Sequence, residues 1–109
     1  MNNTFQIYLI SDSTGETLDR IFLALKAQFE NIEYNVHSYS FSRTENQIIK
    51  ILEDVKKNEN SVILYTIVDD NLAKFLTNAS GKKKIPCFGV LGELILSFSK
   101  ILKQKASHE

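Results

Sequence analysis

The sequence predicts an α/β fold: an open, parallel four-stranded sheet in three layers, with strand order 2-1-3-4 and helices on both faces. Three observations predict it. Apolar, β-rich runs alternate four times with stretches of helical periodicity, across connections of a few residues, and a parallel sheet with crossover helices accommodates that alternation. Two of the runs, Phe5–Ile10 and Ser61–Val68, are apolar at both alternation phases, as strands covered on both faces are. Right-handed crossovers, with those two strands at the centre, then give the order 2-1-3-4.

Phe5–Ile10 is apolar except for Gln6, and Leu18, Ile21, Phe22, Leu25 and Phe29 follow at helical spacing. That spacing predicts a helix of about four turns, with Asn31 as its stop. Glu33–Phe41 mixes aromatic and β-branched residues with polar ones, which suits an outer strand. His37 within it reads as packing or surface, because no second ligand stands at usable spacing. Thr44 and Gln47 form a capping box ahead of a stripe of Ile48, Ile51, Leu52 and Val55. Ser61–Val68 is the most apolar β-rich run. Asp69-Asp70 follows it, before a helix carrying Leu72, Phe75, Leu76 and Ala79, and Asp69 suits the N-cap. Lys82-Lys83-Lys84 reads as solvated surface. Ile85–Val90 is short and holds the only proline, Pro86, as an edge strand allows. Gly92 opens a last helix, with Leu94, Ile95, Phe98, Ile101 and Leu102 expected inward and Lys100, Lys103 and Lys105 complementing its dipole. Ala106–Glu109 should fray.

Composition describes one Rossmann-like domain over residues 1–109, without repeats or low-complexity linkers. Thirteen basic residues balance thirteen acidic ones, so no global field points to nucleic acid or a membrane. Cys87 is the only cysteine, which excludes an internal disulfide and a cysteine-based metal cluster. No apolar run spans a bilayer, and Met1–Thr4 lacks the basic start of a secretory signal, so a cytoplasmic location is expected.

Function concentrates in Ser11-Asp12-Ser13-Thr14-Gly15-Glu16-Thr17, where the first strand turns into the first helix. Ser13 and Glu16 match a capping box, and Gly15 permits close backbone approach. Helix-start N–H groups, the hydroxyls of Ser13, Thr14 and Thr17, and the positive end of the helix dipole together favour an anion. The turn also falls at the switch point between the first and third strands, where clefts of open α/β sheets lie. Arg43 and Asp69 end neighbouring strands at the same rim, and Arg43 offers a bidentate partner to an oxyanion. Asp12 and Glu16 oppose a dianion unless Glu16 is held in the capping box and Asp12 points away or helps hold a metal. The bland reading is a capped helix that binds nothing. No GxxxxGK[ST] and no GxGxxG is present among the four glycines, so neither a P-loop nor a dinucleotide turn is encoded.

The stretch FQIYLISDSTGETLDRIFLALKAQF, Phe5 to Phe29, resembles the amino-terminal signature of the regulatory proteins of pyruvate, phosphate dikinase and phosphoenolpyruvate synthase, a family of bifunctional kinase–pyrophosphorylases. The heptad Ser11–Thr17 matches in full. Weaker similarity continues through Arg43-Thr44, Tyr65–Asp69, Ile85-Pro86 and Leu91-Gly92. The resemblance implies a regulatory serine/threonine kinase that phosphorylates a threonine of the target dikinase or synthase with ADP as donor. It also implies a phosphate-dependent reversal that yields pyrophosphate. In that family the P-loop lies in a second, carboxyl-terminal domain, so this chain resembles the amino-terminal domain and holds no assignable catalytic residue, metal site or cofactor of its own. Implied partners are the target enzyme and the chain's own downstream P-loop domain, with a homodimer left open and no nucleic acid or membrane. Gly89 departs from the family's usual aspartate. Two non-enzymatic alternatives stand beside this reading: a stand-alone anion- or partner-binding module, and a receiver-like domain, which lacks here its paired acids and its lysine after a fifth strand.

Overall fold

β1 (Thr4–Ser11) lies inside the sheet because both of its faces are apolar: Ile7 and Leu9 point to one side, Tyr8 and Ile10 to the other, and all four are buried. The computed structural model describes residues 4–105. After β1 the chain alternates through α1 (Glu16–Lys26), β2 (Glu33–Tyr39), α2 (Glu45–Val55), β3 (Ser61–Thr66), α3 (Asp70–Lys82), β4 (Cys87–Gly89) and α4 (Gly92–Leu102). The four strands form one parallel sheet in the order β2-β1-β3-β4, as expected, with Ile7 paired to Val36 on one side and Val62 on the other. The expected fraying of Ala106–Glu109 falls outside the described residues.

Two hydrophobic layers sandwich the sheet. On one face Tyr8, Ile10, Ile63 and Ile67 meet the Ile48–Ile51–Leu52–Val55 stripe of α2 together with Leu72 and Leu76 of α3. On the other, Ile7, Leu9 and Leu64 meet Leu18 and Phe22 of α1. Each such side chain contributes roughly 1.5–3 kcal/mol by leaving water, which is what holds the helices on the sheet. His37 packs as expected: its ring stacks on Tyr8 at 4.5 Å and its Nε2 lies 2.8 Å from Gln6 Oε1. No described helix is long and apolar enough to cross a membrane.

Several boundaries differ from the sequence expectation. β2 stops at Tyr39 because Phe41 turns over with φ 54° and donates its N–H to Ser13 O. β3 stops at Thr66 because the Val68 N–H is taken by the Asp12 carboxylate. α1 ends at Lys26, three turns long, and only Leu18 and Phe22 are buried, while Leu25 and Phe29 are exposed. On the α1 face, edge strand β2 brings Tyr34, which meets Phe22 edge-on at 5.4 Å, while Val36 beside Ile7 stays half-exposed, so α1 covers β2 only through Phe22. The largest correction concerns α4, where none of Leu94, Ile95, Phe98, Ile101 and Leu102 is buried. β4 is three residues long and ends the sheet, so among the described residues no further strand lies beyond it to receive them.

Candidate functional site

The turn from β1 into α1 is organised by hydroxyls. Ser11, the last residue of β1, is 2% exposed, and its Oγ accepts from Thr66 Oγ1 at 3.2 Å and from the Ser13 N–H at 3.1 Å. With both acceptor positions in use, its own proton is left for Ser13 Oγ, 3.2 Å away. Ser13 is therefore engaged backwards into the strand and does not cap the helix. This overturns the Ser13–Glu16 capping box. Gly15 is the N-cap, with φ 88°, and makes no side-chain cap bond. The physical reason is that left-handed backbone at Gly15 starts the helix at Glu16, too late for Ser13 to reach its N–H groups. The Asp19 N–H makes the first helical bond, to Gly15 O, and Thr14 Oγ1 lies 3.5 Å from the Glu16 N–H, at the limit of a hydrogen bond.

Residues 40–43, between β2 and α2, fold over this turn. Ser40 Oγ donates to Thr14 O at 2.8 Å, the Phe41 N–H to Ser13 O at 2.9 Å, and the Ser42 N–H to Ser11 O at 2.8 Å. The Arg43 Nε–H donates to Asp12 O at 2.8 Å, and its guanidinium lies 5.2 Å from the centre of the Phe41 ring. Arg43 is exposed and forms no salt bridge among the described residues. The Thr44–Gln47 capping box forms as expected and anchors this loop at the start of α2. Ser40 and Ser42 stand outside the residues expected at the site, although Ser-Phe-Ser between strand and cap carries the hydroxyls that bond turns.

From the far side, β3 reaches the same place. The Asp12 N–H donates to Thr66 O at 3.1 Å, and Asp12 Oδ2 accepts the Val68 N–H at 2.8 Å. Asp69 Oδ1 accepts from the N–H groups of Asn71 and Leu72 and so caps α3. Asp12, Arg43 and Asp69, with Ile67 and Leu72, line one cleft of about 370 Å³ at the carboxyl ends of β1 and β3. Of the sequence candidates, then, Asp12, Arg43 and Asp69 share a cleft, while Ser11 and Ser13 brace the turn behind it. Gly15 and Thr14 shape the entry to α1. Glu16 and Thr17 are exposed on α1 and do not line the cleft. Asp12 is turned toward Val68, but Glu16 is not held in a capping box.

Gly89 ends β4 at the same edge of the sheet. A Cβ there would stand 2.8 Å from both Cζ and Oη of Tyr65, so the phenol occupies the space that a larger residue 89 needs. Burial, then the neighbouring Cys87 and Asp70, pushes the Tyr65 hydroxyl above its usual range.

A family model described as kinase/pyrophosphorylase matches residues 7–109. A protein of Pelagibacter ubique, provisionally designated a pyruvate, phosphate dikinase regulatory protein, is 70% identical over 108 residues, which is 99% of this chain and 39% of that protein. Proteins with the same provisional designation from Ehrlichia chaffeensis and Brucella anthropi are 35% and 38% identical, over 94% and 90% of this chain and 37% and 35% of their own lengths. The chain thus spans less than two-fifths of these relatives.

Proposed function

We propose a function from one premise: this chain belongs to the kinase/pyrophosphorylase family. It forms part of a regulatory protein acting on a pyruvate, phosphate dikinase or a phosphoenolpyruvate synthase. In the forward reaction the β-phosphoryl group of ADP passes to a threonine hydroxyl of the target, and AMP leaves. In the reverse reaction an oxygen of inorganic phosphate takes the phosphoryl group from phosphothreonine, giving pyrophosphate and the free hydroxyl. The designation of the relatives supports the dikinase as target. Within these 109 residues no Walker-type lysine loop is present, so nucleotide chemistry falls to the part of the family polypeptide that they do not span.

The contribution of this chain is to hold an oxyanion, either of the phosphorylated target or of free phosphate, at the Ser11–Thr17 turn beside Arg43. One observation carries this reading: the N-cap Gly15 supplies no side-chain bond, so apart from the Glu16 N–H, which meets Thr14 Oγ1 at 3.5 Å, the first-turn N–H groups are left for an anion with the helix dipole behind them. Arg43 is tethered at Nε alone, which leaves its terminal nitrogens for a second set of charge-assisted bonds. A phosphate titration followed by amide shifts tests it. The Glu16, Thr17 and Leu18 signals should move with a dissociation constant of about a millimolar. Arg43→Ala should weaken binding about tenfold, the loss of one charge-assisted contact. Amides that stay unmoved at saturating phosphate would reduce the turn to scaffolding. The missing lysine loop also favours a second reading, a non-enzymatic anion- or partner-binding module. An assay separates the two: the 109-residue chain should transfer nothing from ADP or ATP to a dikinase, and a full-length relative should phosphorylate it. An inactive full-length relative favours the binding module, and phosphorylation by the short chain contradicts the division of labour.

A further inference from the structure

α4 carries a broad apolar stripe of Leu94, Ile95, Phe98, Ile101 and Leu102, with Leu96 on its opposite side among polar residues. None is buried, and Ile101 is 72% exposed. An apolar stripe of that width normally packs against a neighbouring element. Beside it runs an open sheet edge. β4 pairs with β3 through Ile63↔Cys87, Leu64↔Phe88 and Tyr65↔Gly89, and no described strand takes its other side. Phe88 on that edge is also exposed. An apolar helix next to an unpaired edge is a βα unit without its following strand.

Topology and length indicate what completes it. α4 lines one cavity of about 760 Å³ together with Asp70 and Ala73 of α3, so it lies to the same side of the sheet as α3. A right-handed crossover through a helix on that face delivers a parallel strand to the outer side of β4, the same step that the chain takes from β3 through α3 to β4. The family polypeptide has the length to supply it, since this chain covers only 39% of the Pelagibacter ubique relative. A second copy fits less well, because two-fold pairing across an edge runs antiparallel and β4 offers only three residues to it. We propose that a fifth, parallel strand, drawn from the family polypeptide outside these 109 residues, pairs with β4, and that it and the chain continuing from it bury Leu94, Phe98 and Ile101. This goes beyond the proposed function and is independent of the anion turn.

Amide hydrogen exchange tests it, comparing the chain alone with a full-length chimera in which the chain replaces the matched segment of the Pelagibacter ubique relative. The Phe88, Gly89 and Leu94–Leu102 amides should exchange at least about tenfold more slowly in the chimera. The double substitution Phe98→Asp, Ile101→Asp should lower the thermal midpoint of the chimera and leave that of the isolated chain unchanged, because neither side chain is buried there. Equal exchange in the two proteins overturns the proposal, and so does a chimera indifferent to the double substitution. A chimera that loses the protection of β1 and β3 also counts against it. Protection of α4 in the isolated chain that rises with concentration to dimer stoichiometry assigns the face to a second copy instead.

Discussion

Gly15 is required by its dihedral more than by its size. A Cβ there would lie 3.4 Å from Ser40 Oγ and 3.8 Å from Ser11 Cβ, which is tolerable, but φ of 88° resists a β-branched side chain. Gly15→Val should therefore cost about 1–2 kcal/mol in urea unfolding, and Gly15→Asn less, since asparagine visits left-handed backbone more readily. Equal midpoints for valine and wild type would mean that the turn is not left-handed in solution. A stability loss of this kind makes valine a poor probe of anion binding, where Arg43→Ala is cleaner. Ser13 and Thr44 make a second contrast. Both precede a Glu or Gln by three residues, yet only Thr44 accepts the N–H of its partner, at 3.2 Å. Thr44→Ala should lose about 1 kcal/mol, the usual worth of an N-cap. Ser13→Ala gives up no cap and should lose less in the same denaturation series. An equal loss at both positions would contradict the assignment of Gly15 as the cap.

At the scale of elements, burial separates helices that the sequence pattern treats alike. Leu76 of α3 is fully buried and Ile101 of α4 mostly exposed, so Leu76→Ala should cost about 2–5 kcal/mol while Ile101→Ala stays within about 0.5 kcal/mol in this chain. Chemical denaturation of the two variants checks the pair. That difference marks the limit of what was legible. Strands β1 and β3 could be placed at the centre because residues apolar on both phases need covering on both sides, and the strand order followed. The α2 stripe was legible for the same reason. In α4 the pattern records which residues favour burial, but whether a surface exists to bury them depends on a neighbour that these residues do not encode. The site divides likewise. Arg43 and Asp69 were found because topology brings the ends of β2 and β3 to β1. The failed capping box at Ser13 depended on competition from Ser11 and Thr66, 55 residues apart in the chain, which no local motif contains.

For the whole molecule, alkaline pH is the weak side. Burial pushes the Cys87 thiol up, with the Ser80 hydroxyl opposing, and raises Tyr65 and Tyr39, the last further through Asp54. All three favour the protonated, folded form, and the unfolded chain releases these protons first. The stability that these three groups contribute should thus be fully present below about pH 9, the ordinary thiol value, and be lost as pH rises through the raised values of the thiol and then the two phenols. Thermal midpoints between pH 7 and 11 check the direction, and a midpoint that climbs across pH 9–11 contradicts it. The bond from Val68 to the Asp12 carboxylate has a temporal side as well. It spans 56 residues, and the brace from Thr66 to Ser11 spans 55. During synthesis, at about 5–20 residues per second, Ser11–Thr17 leaves the ribosome roughly 3–11 s before the strand that shapes it. A nascent chain halted before Thr66 therefore carries the heptad and the 40–43 loop that folds over it, but the turn lacks its last braces until β3 and Val68 arrive.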